Sequence, residues 1–147
     1  YCPINEQCLA HLQQNPTAYP EAKPRKKLPR KKTIFVIVHT SDKEFLLQKR
    51  PQKGIWGGLW CFPEINSFNL IEEWCTELGF TEKMTINRIP EITHTFSHYK
   101  LSIEPVLISC KKTTNLNITT NKWVWYNKQK PTKIGLPAPI VRLLESI

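Results

Sequence analysis

The clearest pattern along this chain is residues 33–38, TIFVIV, an unbroken run of apolar and β-branched positions. Such a run predicts a strand buried on both faces. After a polar turn at Ser41, Asp42 and Lys43, residues 44–48 read as a second strand, so the pair predicts a hairpin. A short third strand is expected over residues 59–62, behind a loop that holds Gly54, Gly57 and Gly58. Residues 66–78 carry the one long helical pattern, with Leu70, Ile71, Trp74, Cys75 and Leu78 on a single face. Asn69 and Glu72 are spaced as a capping pair, and Gly79 stands where that helix should stop. Residues 86–95 read as a strand broken by Pro90. Residues 99–108 read as a long alternating strand in which Pro105 predicts an edge or a bulge. A flexible loop rich in Thr and Asn is expected over 111–121, and KWVWY at 122–126 is the last strand. Pro137 and Pro139 open a short helix over 140–145, because proline in a first turn forfeits no hydrogen bond. The sum is an α/β domain in which strands outweigh two helices.

At 147 residues the chain is about one domain's worth and can bury a real core. Its first residue is Tyr1 rather than Met, so it is expected to be a piece of a longer protein. It has neither an apolar run long enough for a bilayer nor a secretory signal. A net charge of +9 changes the picture more, because it calls for a polyanionic partner, nucleic acid first. The charge is concentrated: seven of the ten residues from Lys23 to Lys32 are basic. Pro20, Pro24 and Pro29 keep residues 19–32 extended, so this segment reads as a linker. It is either a solvated tether or one whose Lys23, Arg25, Lys26, Lys27 and Arg30 touch phosphates, and nothing base-specific is visible in it. Five cysteines, an odd number without framework-like spacing, point to reduced thiols in an intracellular compartment.

Residues 46–64, LLQKRPQKGIWGGLWCFPE, are chemically the densest stretch. Three glycines within five residues demand positive dihedrals or a very close backbone approach. Trp56 and Trp60 bracket them and need burial or a flat partner. Taken alone this is a tight loop between two core strands, with Lys49, Arg50 and Lys53 as candidate phosphate contacts.

Together with THTFSHYKL at 93–101, WYN at 125–127 and GLPAPIVRLL at 135–144, this stretch resembles the C-terminal part of the adenine DNA glycosylase (MutY) family. The pieces occur in the family's order and cover the chain end to end. The resemblance implies a base-excision repair enzyme that removes adenine mispaired with 8-oxoguanine, a task that takes the base out of the stack. The family's catalytic domain is N-terminal and absent here, so the chain itself is expected to be non-catalytic. The implied layout is the end of an iron–sulfur region at 1–18, a basic interdomain linker at 19–32 and a lesion-recognition domain at 33–147. The implied fold is Nudix-like, a mixed β-sheet flanked by helices.

The resemblance also gives residues roles. Cys2 and Cys8 match the last two of four cysteines that hold a 4Fe–4S cluster in the family, and with two ligands missing no cluster is expected in this chain. Phe96, Ser97 and His98 match the loop that senses 8-oxoguanine. Oxidation turns guanine N7 into a donor and adds a carbonyl at C8, and a serine hydroxyl can both donate and accept. Phe96 would wedge or stack at the base step and His98 would touch phosphate or brace the loop. The implied partners are duplex DNA containing 8-oxoguanine:A, the catalytic domain of the same protein and, through the linker, repair or replication proteins. No membrane is involved, and the expected location is intracellular, the cytoplasm or nucleoid in a bacterium.

The alternative is a metal-dependent Nudix nucleotide hydrolase. Counted from Gly58, the Nudix signature places Glu64 at its first acid, Glu72 and Glu73 at its Arg-Glu pair, and Thr76 and Glu77 at its paired glutamates. Glu72 thus replaces an arginine and Thr76 a metal-binding carboxylate. A magnesium site on a pyrophosphate substrate depends on clustered carboxylates, so the box reads as a retained scaffold.

Overall fold

The computed structural model describes residues 2–19, 21, 23–24, 27–80, 84–111 and 121–147. Its spine is a parallel pairing between β1 (Arg30–His39) and β7 (Lys100–Ser109), in register from Arg30 opposite Lys100 to His39 opposite Ser109. The unbroken apolar run is explained by where its two faces go. Phe35 and Ile37 point into one core with Tyr99, Leu101 and Ile103, while Val36 and Val38 point into a second with Val106 and Ile108. All four β1 residues are fully buried, and no alternation survives in a strand covered on both sides.

The strand begins at Arg30, three residues before the expected start, so Arg30, Lys31 and Lys32 are strand rather than tether. Pairing with β7 overrides the local preference of a charged segment, and the Lys100 amide donates to the Pro29 carbonyl at 2.9 Å.

The remaining strands are all antiparallel to their neighbours. β2 (Glu44–Lys49) meets β1 only at Phe45 opposite His39 and then splays away. Two short strands fill the wedge: β3 (Trp60–Cys61) pairs with β2, and β4 (Glu64–Ile65) pairs with β1. β3 falls inside the strand expected over residues 59–62, whereas β4 was not expected; Pro63 separates the two, and its carbonyl accepts from the Val36 amide at 2.9 Å. β8 (Trp123–Asn127) takes the other edge of β2. β5 (Thr85–Arg88) and β6 (Ile92–Thr95) lie end to end along the outer edge of β7.

Pro105 therefore sits in a central strand, not at an edge. It is tolerated because its missing donor faces the gap between β5 and β6, where its carbonyl accepts from the Ile89 amide at 3.0 Å.

Helices cover both faces. After a short N-terminal turn, α1 (Leu9–Leu12), come α2 (Ile71–Glu77) over the second core and α3 (Ala138–Ser146) over the first. Ile71, Cys75, Leu78 and Phe80 bury against the Val36 face, and Ile140, Leu143 and Leu144 against the Phe35 face. The α2 start differs from expectation. Residues 68–70 form a 3₁₀ turn, Leu70 is the N-cap, and no side chain caps it, so Asn69 and Glu72 do not form a capping pair.

Its end is as expected. Gly79 has φ of 94°, its amide donates to the Thr76 carbonyl at 3.0 Å, and the Phe80 amide donates to the Cys75 carbonyl at 2.9 Å. This is the reversed turn that lets Phe80 fold back onto the helix it follows. Among the described residues no helix is long and apolar enough to cross a membrane. Gly79→Ala should destabilise the domain by about 1–2 kcal/mol, the cost of a Cβ in the left-handed region. Urea denaturation reads that loss as a lower midpoint at unchanged slope.

Candidate nucleic-acid interface

Because β1 and β7 run in parallel, both begin at the same end of the sheet. The β6–β7 connection lies at that end. It is a tight hairpin closed by the Phe96 amide donating to the Tyr99 carbonyl at 2.8 Å, with Ser97 and His98 exposed at the tip. Ser97 Oγ and His98 Nδ1 are 3.2 Å apart, within hydrogen-bond reach of one another. Phe96 does not project as a free wedge. It stacks on Tyr99 at 4.7 Å and 24°, and meets His94 edge-on at 4.6 Å. Its half-buried ring packs at the base of the tip, below the exposed Ser97 and His98.

The glycine loop reaches the same place. Gly54 and Gly58 have φ of 98° and 74°, and a Cβ on Gly57 would run into the Gln52 carbonyl, so the loop is as tight as its composition demands. Trp56 sits at φ of 55°, a left-handed conformation uncommon for so bulky a residue. That turn aims its indole at Phe96 (5.5 Å), His94 (5.8 Å) and Phe35 (6.4 Å). Here is the flat partner that a tryptophan beside three glycines requires. Trp60 has a cation on its face instead, the Lys49 ammonium 5.8 Å from its ring centroid.

Arg50 does not project outward as a phosphate contact. Its Nη1 lies 2.6 Å from Glu64 Oε1, its Nε donates to the Ile55 carbonyl at 3.1 Å, and its amide donates to the Leu59 carbonyl at 2.8 Å. It ties both ends of the glycine loop to β4, a use that its position in a basic run conceals. Lys49 and Lys53 remain exposed, as do Lys23, Lys27 and Arg30, whereas Arg25 and Lys26 lie outside the described residues.

Tyr99 was missed by sequence reading as anything but a strand residue. It is 1% exposed, and its hydroxyl has no hydrogen-bond partner among the described residues. Burial, together with the Glu64 carboxylate, pushes its phenol above the usual tyrosine range, and the Arg50 charge opposes this. The Lys31 ammonium lies over the same ring, 4.8 Å from its centroid.

The Nudix-box positions lie elsewhere, on α2. Glu73 and Glu77 are exposed one turn apart, and Thr76 Oγ1 donates back to the Glu72 carbonyl at 2.8 Å. Glu64 is held by Arg50. Among the described residues no three His, Cys, Asp or Glu side chains converge as metal ligands would. The cysteines divide similarly. Cys61 and Cys75 are buried, and burial pushes their thiols up to about 12 and about 11. Cys2 is exposed and Cys8 half-buried in the N-terminal turns. Two accessible thiols do not make the four-thiolate set an iron–sulfur cluster needs, so this chain alone does not fit one.

The three-layered mixed sheet defines a class. The NUDIX domain family matches residues 33–146, and the chain belongs to it. Within that class, the chain is 30% identical over 98% of its length to the adenine DNA glycosylase of Buchnera aphidicola subsp. Schizaphis graminum. It is 32% identical over 99% of its length to that of subsp. Acyrthosiphon pisum. It spans 41% of the length of each. The C-terminal domain of mouse MUTYH, solved in complex with human PCNA, has the same fold at a TM-score of 0.62 and 15% identity, over 78% of this chain and 84% of that one.

Two outcomes check this geometry. Tyr99→Phe should leave stability unchanged or raise it by up to about 1 kcal/mol, since it removes an unpaired buried hydroxyl; a clear loss in thermal denaturation would contradict that. In a thiol-reactivity assay at pH 8, Cys61 and Cys75 should react only on unfolding, because a protonated, buried thiol is a poor nucleophile.

Proposed function

We propose that this chain is the lesion-recognition domain of an adenine DNA glycosylase that acts on adenine opposite 8-oxoguanine. The observation that carries the reading is Ser97, an exposed hydroxyl beside His98 at the tip of a hairpin braced by Trp56, Phe96 and Tyr99. Similarity along nearly the whole of this chain, at 30% and 32% identity, to proteins named adenine DNA glycosylase supports it. A rigid tip suits readout, because a base edge is distinguished by hydrogen bonds whose geometry is fixed beforehand. Ser97 Oγ accepts from the N7–H that oxidation creates or donates to the new C8 carbonyl, and plain guanine offers neither group in that place. His98 and the surrounding cations hold the phosphates on either side.

Adenine excision itself belongs to the rest of the parent protein, and this chain contributes affinity and discrimination. Cys2 and Cys8 supply two of the four thiolates of a 4Fe–4S cluster completed by the parent's catalytic domain. The part of the basic segment before β1, residues 19–29, joins the two domains, and its basic, proline-spaced character also suits docking to repair or replication proteins.

Hydrolysis of nucleotides by the Nudix scaffold is disfavoured by the Glu72 and Thr76 identities and by the engagement of Glu64 with Arg50.

Ser97→Ala should cut the preference for 8-oxoguanine:A over G:A duplexes by about 1–3 kcal/mol in competitive binding, while overall fold and salt dependence stay the same. An unchanged preference would refute the assignment.

A further inference from the structure

The paired starts of β1 and β7 put a second set of groups beside the hairpin tip. Arg30 lies opposite Lys100, Lys31 opposite Leu101, and Lys100 follows the tip by two residues beyond His98. Side chains alternate across the sheet, Lys31 on the Tyr99 face and Arg30 and Lys100 on the other, so the three surround the end of the ladder from both sides, and the neighbouring cations are not equally free. Lys32 is drawn to Glu104, 3.8 Å away, and Arg50 to Glu64, so both charges are already answered within the domain. Among the described residues Arg30, Lys31 and Lys100 have no carboxylate in ion-pair range. Lys31 is instead held over the Tyr99 ring, whose neighbours are Phe96 in a stack and His98 edge-on at 4.8 Å. An ammonium resting on an aromatic face keeps its charge and its outward hydrogens, yet its stem is fixed.

We propose that Arg30, Lys31 and Lys100 form a phosphate-binding edge that fixes the register of the DNA strand read by Ser97. This deepens the proposed function and rests on it, because it names the part of the duplex that the same site grips. Lys100 follows Ser97 by three residues, across the turn that joins the tip to β7, so its charge lies within reach of the backbone beside the inspected base. Phosphates this near the inspected base are held by backbone-anchored cations, not by a floppy tether. Such contacts position without reading sequence. The β1–β7 ladder thus converts the end of the basic segment into part of the reading head, and the tip and its phosphate clamp move as one body.

Salt titration separates this from the lesion reading. Binding of this chain to an 8-oxoguanine:A duplex is followed by fluorescence anisotropy from low to moderate salt. Lys31→Ala should reduce the slope of log affinity against log salt by about 0.9, one phosphate's worth, and the Lys31→Ala/Lys100→Ala pair by about twice that. Both should weaken 8-oxoguanine:A and G:A duplexes by the same factor. Lys31→Arg should restore the slope. Lys130→Ala, which removes the same charge just beyond β8 at the opposite end of the sheet, should leave it alone. The proposal is overturned if the double variant keeps the wild-type slope, if Lys130→Ala matches Lys31→Ala, or if the wild-type chain binds no duplex at low salt. Failure of the lesion reading looks different: Ser97→Ala would then leave the 8-oxoguanine preference intact while the lysine variants still lower the slope.

Discussion

The parallel ladder between β1 and β7 is the constraint on which everything else in this domain depends. Its ten in-register pairs put two long strands side by side, exposed and basic where β1 begins and buried through their middles. Helices on both faces follow, since a sheet with Phe35 on one side and Val36 on the other needs a cover for each. The same pairing decides where the chemistry lies. Parallel strands start at a common end, so the β6–β7 tip, the glycine loop and the last basic residues of the linker converge there although they are far apart in sequence. An antiparallel pairing of the same two strands would have sent Lys31 to the end opposite Ser97.

Much of this was legible in the sequence, for identifiable reasons. TIFVIV read as a doubly buried strand and is one, and the stripe from Leu70 to Leu78 read as a one-faced helix ending at Gly79, which holds except at Leu70, an exposed residue at the helix's N-cap. What escaped local reading was set by tertiary pairing. β1 starts at Arg30 because β7 accepts it there, against the preference of three consecutive charges. Beyond Pro63 the chain forms β4, an unexpected short strand that pairs with β1 while β3 pairs with β2, and Pro105 is harmless in a central strand because its neighbour has a gap. The site shows the same division. Phe96, Ser97 and His98 were visible as a motif. The contact of Trp56 with Phe96 and the position of Lys31 over Tyr99 were not, because each joins residues far apart in the chain. Arg50 looked like a phosphate ligand only because its partner Glu64 comes after the loop that the pair closes.

The scaffold is that of a NUDIX domain, yet its two ends are used unequally. The box keeps Gly58 in the glycine loop, Glu73 and Glu77 on α2 and Gly79 just after it, residues that also serve shape and solvation. It has lost the arginine and one carboxylate that metal chemistry would require. At the end of the sheet, by contrast, aromatic side chains are packed in series from Phe35 through Trp56, Phe96 and Tyr99 to His98. The proposed DNA-holding role calls for a stiff surface with charge beside it, and the aromatic packing is concentrated at the end of the sheet where the exposed basic residues lie.

The most direct test is to map where duplex DNA touches the domain, by following backbone amide resonances during titration with an 8-oxoguanine:A duplex. The account predicts that the largest shifts cluster at Ser97, His98, Lys100, Arg30, Lys31 and Trp56, with α2 silent. Shifts centred on Glu73 and Glu77 of α2, with the hairpin tip unmoved, would contradict it.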